Sequence, residues 1–234
     1  EEGYSTILYI SDISSKKEEE QRILDTLKKE NEISKLKSSI ISAISHEYRT
    51  PLTIIQTSVD LLEMSHKSGN EEKFQKYLER VNLSIQRMTK FLEDIMFLSK
   101  VESVDYEFTV ESIELQQFCN DVVANVKANK DLKHKIKLNI TEKSFFKADR
   151  NLLLPIICKV VENAMDYSDE NSIVYFNVSK TNNGMLFQIK DQGSGITEDY
   201  MRILFDPFAR INQADKKAGT GFGLTIVKAC TEKL

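Results

Sequence analysis

The first half of the chain contains few residues that interrupt helices. Residues 14–103 include one proline, Pro51, and one glycine, Gly69, and the whole chain of 234 residues has three prolines and eight glycines. In a helix interior, proline costs about 3 kcal/mol and glycine about 1 kcal/mol relative to alanine. Their scarcity therefore favours long, uninterrupted helices, and it excludes collagen-like and low-complexity chains.

Apolar residues recur at helical spacing after the first fourteen residues. From Ile33 to Ile44 they lie three or four apart, in a narrow stripe that is typical of a coiled-coil seam. We expect the helix to continue to about Met64 and to bend near Pro51, because proline lacks an N–H and clashes with the carbonyl four residues earlier. The polar segment Ser65–Asn70 is then the first turn.

A second helix is predicted from about Glu71 to Val101. One of its faces is apolar throughout and carries Phe74, Tyr77, Leu78, Val81, Ile85, Met88, Leu92 and Ile95. Two helices joined by a short loop lie antiparallel, and a two-helix hairpin cannot bury so broad a face alone. We therefore expect the hairpin to dimerise into a four-helix bundle.

Helix and strand patterns alternate after residue 103, which indicates an α/β sandwich. The predicted elements are helices over Glu114–Lys127 and Asn151–Tyr167, strands over His134–Ile140, Ser172–Ser179 and Met185–Asp191, and a hairpin turn at Thr181–Gly184. The fold class is therefore α+β: a long helical hairpin that forms a dimeric four-helix bundle, followed by an α/β sandwich domain. The isolated run Tyr4–Ile10 is predicted to be a single strand, either the end of a preceding domain or an edge strand that pairs with another element.

Composition narrows the classes of function. The net charge of −4 gives no indication of nucleic-acid binding. The sequence has no stretch of about 18 apolar residues and no signal-peptide pattern at its start. Three scattered cysteines, Cys119, Cys158 and Cys230, are typical of a reducing compartment and argue against zinc. We expect a cytoplasmic fragment, with membrane attachment only through segments outside residues 1–234.

Two glycine-rich segments late in the chain are candidates for a phosphate site. Asp191–Ile196 follows a predicted strand, and Gly219–Leu224 opens a predicted helix. Glycines let the backbone approach a ligand, and a helix N-terminus offers free N–H groups to phosphate. Neither segment has the Gly-Lys-Ser/Thr of a Walker loop or a correctly placed dinucleotide fingerprint, and each by itself is a common kind of turn.

Single residues elsewhere carry little information in isolation. The amide oxygen of Asn163 suits a hard cation beside a triphosphate, but an isolated asparagine on a helix is usually a surface residue. His46 lies beside Glu47 on the long helix, where most histidines are simply exposed. For His66 and His134 we infer no function.

Five motifs taken together change this interpretation. The first, SHEYRTPL at Ser45–Leu52, resembles the H-box of sensor histidine kinases, and the second, NAMDYS at Asn163–Ser168, resembles their N-box. The remaining three motifs resemble, in chain order, the G1 box (DQGSGI at Asp191–Ile196), the F-box (FDPF at Phe205–Phe208) and the G2 box (GTGFGL at Gly219–Leu224) of the same family. The likeness covers residues 15–234, and residues 1–14 resemble the last strand of a PAS sensor domain.

The resemblance implies four segments. They are the end of a PAS-like domain at 1–14, a coiled-coil signalling linker at 15–35, a dimerisation and histidine phosphotransfer (HisKA) domain at 36–103, and an ATP-binding catalytic domain of the Bergerat type at 104–234. Family members continue with a glycine-rich turn and closing strands beyond the position of Leu234, so we expect these strands to lie outside the sequence.

In this family, ATP binds the catalytic domain and its γ-phosphoryl group passes to a histidine of the bundle. The resemblance makes His46 the nucleophile, because neutral imidazole is nucleophilic. It makes Glu47 the general base that accepts the proton of the other ring nitrogen. Thr50 matches the position that orients a water against the phospho-aspartate of a response regulator.

The resemblance also assigns the nucleotide contacts. Asn163 would hold Mg²⁺, Asp191 would accept the adenine amino proton, Tyr167 would pack against adenine, and Arg210 would reach the γ-phosphate. The other implied ATP-binding residues shape the nucleotide loops and the lid between them: Gly193, Gly195, Phe208, Gly219, Gly221, Gly223 and Leu224. The implied cofactors are ATP and Mg²⁺, and the implied partners are a second copy of the chain and a response-regulator receiver domain, without nucleic acid.

Two residues of the N-box depart from the family pattern. Lys159 stands where the family usually has asparagine, and Asp166 stands where a lysine usually precedes the tyrosine. Because positions 159, 163 and 166 share a helix face, we predict a charge swap in which Lys159 offsets Asp166 near the phosphates.

Three functions are compatible with these motifs. The favoured one is ATP-dependent phosphorylation of His46 and transfer to an aspartate of a response regulator. The alternative is a phosphatase-dominant or weakly active kinase that acts mainly as a docking scaffold for the regulator. An ATPase of the gyrase and MutL type ranks last, because that class has a catalytic glutamate where this chain has Lys159 and has no H-box.

Overall fold

The computed structural model of the chain describes residues 14–129, 134–141, 144–169, 171–182, 184–209 and 221–234. The chain divides into two compact units, Glu1–Arg49 and Thr50–Leu234. The strand predicted at Tyr4–Ile10 and two predicted site residues, Arg210 and Gly219, lie outside the described residues.

The long first helix is confirmed. Helix α1 spans Ser14–Lys67 and includes Pro51 within it, so the proline does not end the helix. It ends three residues later than the sequence predicts. The hydroxyl groups of Ser65 and Ser68 donate to carbonyls of the preceding turn, at 3.0 Å each, and so satisfy polar groups of its last turn.

A tight turn connects α1 to the second helix, α2, which spans Glu71–Glu102 as predicted. Gly69 has a φ of +64°, a backbone conformation that glycine adopts without strain. The side chain of Asn70 caps α2 by accepting the N–H of Lys73 at 3.0 Å. The two helices therefore form the expected hairpin.

The apolar side chains of α2 divide into a buried stripe and an exposed stripe. Phe91 and Leu98 are buried. Leu78, Ile85 and Leu92 follow one another at seven-residue intervals and remain 38–49% exposed. The hairpin thus leaves a heptad-spaced apolar row on its surface.

The remaining elements follow α2 within the second unit. They are β1 (Glu111–Glu114), α3 (Leu115–Asn129), β2 (Lys135–Ile140), β3 (Phe145–Ala148), α4 (Arg150–Asp166), β4 (Ile173–Thr181), β5 (Gly184–Lys190), α5 (Glu198–Met201) and α6 (Gly223–Lys233). The helices and strands predicted after residue 103 match α3, β2, α4, β4 and β5. The sequence prediction missed β1, β3 and α5, because four residues are too few to establish a period.

The strands form two small sheets. In the larger one, β4 is central, pairing in parallel with β2 and antiparallel with β5, while β1 and β3 form a separate antiparallel pair. Val174, Phe176 and Val178 alternate along β4 and are buried. The helices α3, α4 and α6 contribute further large buried side chains, among them Phe118, Leu152, Val161 and Ile226. This arrangement confirms the predicted sandwich of helices on a sheet.

A buried carboxylate anchors the segment between α2 and β1. Asp149 is fully buried at the N-cap of α4, where it accepts the N–H of Asn151 at 2.8 Å. Its other oxygen accepts the Thr109 N–H at 2.9 Å and the Tyr106 hydroxyl at 3.2 Å. Burial and the neighbouring Asp149 carboxylate raise the pKa of Tyr106 to about 12. Asp149 thereby fixes the connecting segment to the start of α4.

Candidate active site

The C-terminal half of α4 carries two of the predicted site residues. Ala164 and Met165 are buried and hold this part of the helix against the core, which leaves Asn163 and Tyr167 half-buried beside them. Tyr167 caps the helix, its N–H donating to the carbonyl of Asn163 at 3.1 Å. Among the described residues the side-chain amide of Asn163 has no hydrogen-bond partner, so its oxygen is available to a ligand.

The loop after β5 is tied to this end of α4. The Gln192 N–H donates to the Ser168 hydroxyl at 3.2 Å, and that hydroxyl donates to the carbonyl of Ala164 at 2.6 Å. Within the loop, the Asp191 carboxylate accepts the Gly193 N–H at 2.8 Å. These bonds bring Asp191 and the glycine loop to the end of α4.

Gly193 and Gly195 have different roles in the loop. A β-carbon at position 193 would overlap the carbonyl oxygen of Tyr167, so only glycine fits there without a shift. Gly195 has a φ of +78° and open space around it, so its requirement for glycine is conformational. The close approach at Gly193 joins the two segments that carry Tyr167 and Asp191.

Phe208 and Gly221, which flank the predicted lid between the F-box and the G2 box, lie in contact. The Phe208 N–H donates to the carbonyl of Gly221 at 3.1 Å, and both residues have positive φ, +66° and +71°. A β-carbon on Gly221 would lie 3.0 Å from the carbonyl oxygen of Ala209. Residues 208–209 and 221–222 therefore form a closed base for the segment between them.

An aromatic cluster supports this base from the side of α2. The ring of Phe91 lies 6.2 Å from that of Phe208 and 5.9 Å from that of Phe222, both edge-on, and Phe208 and Phe222 lie 5.4 Å apart. Edge-to-face pairs of this kind contribute about 0.5–1.5 kcal/mol each beyond burial. Phe91 is not among the residues predicted for the apolar face, although it falls three residues after Met88 and four before Ile95 on the helical repeat.

Helix α6 begins at the last glycine of the G2 motif. Phe222, just before it, is buried, and Leu224 in the first turn is half-buried, so the helix start is fixed by packing. A β-carbon at Gly223 would lie 3.7 Å from Cδ of Lys159. Lys159 of α4 thus runs alongside the glycine motif.

Lys159 has a different partner from the one that the sequence predicted. Its ammonium lies 2.7 and 2.8 Å from the two carboxylate oxygens of Asp94 on α2. The prediction that Lys159 offsets the charge of Asp166 is therefore wrong, because the ion-pair partner of Lys159 is Asp94. A sequence pattern on α4 alone could not reveal a partner that lies 65 residues earlier in the chain.

A second ion pair joins the same two helices. The Lys90 ammonium of α2 lies 3.5 Å from both carboxylate oxygens of Glu162 on α4. Lys90 and Asp94 are four residues apart, so they lie on one face of α2 on either side of Phe91. We refer to the contacts made by Lys90, Phe91 and Asp94 with α4 and the lid base as the α2 clasp.

The predicted phosphoacceptor, His46, lies on α1. The side chain of His46 is 73% exposed, and its Nδ1 lies 3.8 Å from an Oε1 of Glu47. Thr50, also on α1, is exposed. An accessible imidazole beside a carboxylate can accept an electrophile on one nitrogen and pass a proton from the other.

The thiols are poor candidates for nucleophiles. Burial raises the pKa of Cys119 to about 12, and burial followed by the Glu162 carboxylate raises that of Cys158 to about 11. Burial followed by the Asp149 carboxylate raises that of Cys230 to about 11. All three therefore stay protonated at neutral pH.

Two protein families match this chain. Residues 36–104 match the His Kinase A (phospho-acceptor) domain, and residues 148–234 match the histidine kinase-, DNA gyrase B- and HSP90-like ATPase family. Fold and site thus define a phosphoacceptor hairpin joined to an ATPase domain. The chain belongs to the sensor histidine kinases of two-component systems.

Two curated sensor proteins are similar to this chain. The sensor histidine kinase WalK of Bacillus subtilis is 28% identical over 193 residues, which is 80% of this chain and 31% of WalK. The heme sensor protein HssS of Staphylococcus epidermidis is 23% identical over 85% of this chain and 43% of HssS. The chain therefore spans about a third to two fifths of these relatives' length.

The fold is shared with a solved histidine kinase, AdeS of Acinetobacter baumannii. It aligns with a TM-score of 0.59 at 24% identity, over 81% of this chain and 87% of that one. Within the described ranges, the helices are too short or too polar to span a membrane.

Proposed function

We propose that this chain is the catalytic portion of a sensor histidine kinase, which uses Mg·ATP to phosphorylate His46 and passes the phosphoryl group to an aspartate of a response regulator. The observation that carries the proposal is the junction of the α4 end with the loop after β5. There Gly193 lies against the backbone of Tyr167, and the Asp191 carboxylate holds the loop. This arrangement suits the binding of a flat nucleotide base, with the Asp191 carboxylate as the group that recognises it.

The adenine contacts follow from this junction. Asp191 is exposed, and one of its oxygens accepts the Gly193 N–H. A carboxylate has further lone pairs, so it can also accept a proton of the adenine amino group. Tyr167, whose backbone lies against Gly193, would supply the aromatic ring that packs on the adenine.

Asn163 fits the role of a ligand to a shared Mg²⁺. Magnesium is usually held by one or two protein oxygens together with phosphate oxygens and water. The Asn163 amide has no hydrogen-bond partner among the described residues, and those residues contain no cluster of three or more acidic, histidine or cysteine side chains that would form a separate metal site. Bound there, Mg²⁺ would neutralise charge on the polyphosphate.

His46 carries the chemical step in this proposal. A neutral ring nitrogen attacks the γ-phosphorus, an N–P bond forms, and the P–O bond to ADP breaks. The proton on the other ring nitrogen passes to Glu47, whose carboxylate lies 3.8 Å from Nδ1 in the structure. The 73% exposure of His46 makes the imidazole accessible both to a nucleotide and to a regulator aspartate.

The exposed row Leu78, Ile85 and Leu92 supports a homodimer. Three large apolar side chains at seven-residue spacing on one helix are typical of a helix–helix interface. Pairing two hairpins through this row gives the four-helix bundle that the sequence analysis expects.

The alternative is a phosphatase-dominant or weakly active kinase that mainly docks the regulator. One observation favours it: Lys159, which stands at an N-box position, is paired with Asp94 of α2. In that case the exposed Thr50 would orient water against a phospho-aspartate.

Incubation with γ-labelled ATP and Mg²⁺ separates the possibilities. Acid-labile label on the protein, transferable to a receiver domain, supports the kinase. Release of free phosphate without protein label indicates an ATPase of the gyrase type. Neither product, together with dephosphorylation of a phosphorylated receiver domain, indicates the phosphatase.

A further inference from the structure

The ion pair between Lys159 and Asp94 joins the N-box helix to the bundle helix. Both side chains are mostly buried, with 15% and 17% exposure, and both carboxylate oxygens of Asp94 contact the ammonium. A pair with this degree of burial is screened less by salt than a surface pair. It therefore holds the lysine head group in a defined place.

The stem of the same lysine lies at the glycine motif. Its Cδ would be 3.7 Å from a β-carbon at Gly223, which begins α6. Lys159 also precedes Asn163 by one helical turn on α4, so the two side chains share a helix face. Because the stem passes beside Gly223, rotation about its bonds can turn the ammonium away from Asp94 and towards the start of α6.

We propose that Lys159 is a phosphate-binding cation whose ammonium exchanges between Asp94 and the polyphosphate of ATP, so that Asp94 competes with the nucleotide for it. This inference rests on the proposed function, because it requires ATP to bind beside α4 with its phosphates towards Gly223. A lysine suits such an exchange, since its ammonium is a compact charge on a flexible stem and donates in three directions. A polyphosphate offers more negative charge than the single carboxylate of Asp94.

The exchange links nucleotide binding to the α2 clasp. When Lys159 leaves Asp94, one of the two ion pairs between α2 and α4 is lost. The contact of Lys90 with Glu162 and the ring cluster around Phe91 do not involve Lys159. ATP therefore loosens one defined point of the clasp and leaves the remainder in place.

Nucleotide affinity tests the competition. ATP binding is measured by calorimetry in EDTA, without divalent cation, for the wild type, Asp94→Asn, Lys159→Asn and the double variant. We expect Asp94→Asn to tighten binding by about three- to tenfold and Lys159→Asn to weaken it by about as much. In the Lys159→Asn background, Asp94→Asn should have no effect on affinity.

Glu93→Gln is the matched control, because it removes one negative charge from the adjacent, exposed position of α2. It should leave the affinity unchanged. Unchanged or weaker binding by Asp94→Asn, or an equal gain with Glu93→Gln, would overturn the proposal. A folded wild type that binds ATP neither in EDTA nor with Mg²⁺ would instead refute the proposed function.

Zero-length carbodiimide crosslinking tests the change of partner directly. The reagent activates a carboxylate, and a neighbouring amine then attacks the activated carbonyl carbon and releases the reagent as a urea. An amide therefore forms only between groups in contact. Mass spectrometry should detect an Asp94–Lys159 link that ATP suppresses and adenosine does not, while the Lys90–Glu162 link persists. Persistence of the Asp94–Lys159 link at saturating ATP would contradict the exchange, and equal loss of both links would indicate that the whole clasp opens instead.

Discussion

Gly193 lies so close to Tyr167 that a β-carbon at position 193 would overlap the Tyr167 carbonyl oxygen. The same glycine donates its N–H to the Asp191 carboxylate at 2.8 Å. The two contacts set the distance between the helix that carries Asn163 and the loop that carries Asp191. The spacing of the candidate nucleotide site therefore depends on residue 193 being a glycine, which has no side chain.

Gly193→Ala should separate the loop from α4. Because the new methyl group meets backbone and not a movable side chain, we expect a loss of about 1–3 kcal/mol in the free energy of unfolding. ATP affinity should fall by at least about tenfold. Denaturant unfolding and calorimetry measure the two effects. Ser194→Ala, at an exposed neighbouring position, should change neither, and a Gly193→Ala protein with wild-type affinity would show that the spacing is unimportant.

Asp149→Ala should be among the most destabilising single substitutions in the chain. It removes the cap of α4 and leaves the Thr109 N–H and the Tyr106 hydroxyl without the acceptor they have now. We expect a loss of about 2–4 kcal/mol in the free energy of unfolding. Asp105→Ala, which removes an exposed carboxylate from the same connecting segment, should cost less than about 0.5 kcal/mol.

His46→Ala should abolish acid-labile phosphorylation and leave ATP affinity unchanged. The imidazole is the proposed nucleophile, whereas Asn163, Tyr167, Asp191 and Gly193 form the proposed nucleotide site. Autoradiography after incubation with γ-labelled ATP reports the first effect, and calorimetry reports the second. His66→Ala is the control and should retain full labelling. Persistent labelling of His46→Ala would assign the phosphoryl group to another residue.

The exposed row of α2 should determine the oligomeric state. Light scattering should give about twice the chain mass of 26.9 kDa. Ile85→Glu places a charge in the middle of the row and should shift the protein towards monomer at micromolar concentration. Leu186→Glu introduces the same charge at an exposed leucine of β5 and should leave the mass unchanged. A wild-type monomer at that concentration would refute the four-helix bundle.

Cys158 should react slowly with thiol reagents. Burial, assisted by the Glu162 carboxylate, raises its pKa from 9.0 to about 11, so the thiolate is about 100-fold rarer at pH 8 than in an unperturbed thiol. Its labelling rate, followed by peptide mass spectrometry, should rise about tenfold per pH unit up to pH 11. The raised pKa also makes the free energy of unfolding depend on pH. The contribution of Cys158 to stability is complete below pH 9, and it is lost as the pH rises to 11 because the unfolded chain releases its thiol proton first. Equal rates in the native and denatured protein at pH 8 would contradict this.

Much of the secondary structure could be predicted from the sequence. The shortage of proline and glycine led to the long helices α1 and α2, and alternation of apolar residues led to β4. These elements are encoded locally, because propensity and periodicity act over neighbouring residues. The four-residue strands β1 and β3 could not be found in the same way, since their pairing partners lie more than 30 residues away along the chain.

The candidate site was predictable in composition but not in all its contacts. Ordered motifs identified Asn163, Tyr167, Asp191 and the glycines, because each motif is a short segment with a characteristic pattern. The roles assigned to Arg210 and Gly219 stay predictions, since both lie outside the residues that the structure describes.

The ion-pair partner of Lys159 could not be predicted from the sequence. The sequence alone determined that a cation stands on α4 one turn before Asn163, and local helix geometry suggested Asp166 as its counter-charge. Only the tertiary structure, by packing α2 against α4, placed the Asp94 carboxylate 2.7 Å from the ammonium. Helical periodicity specifies which face a residue lies on, whereas the choice of ion-pair partner depends on which distant helix covers that face.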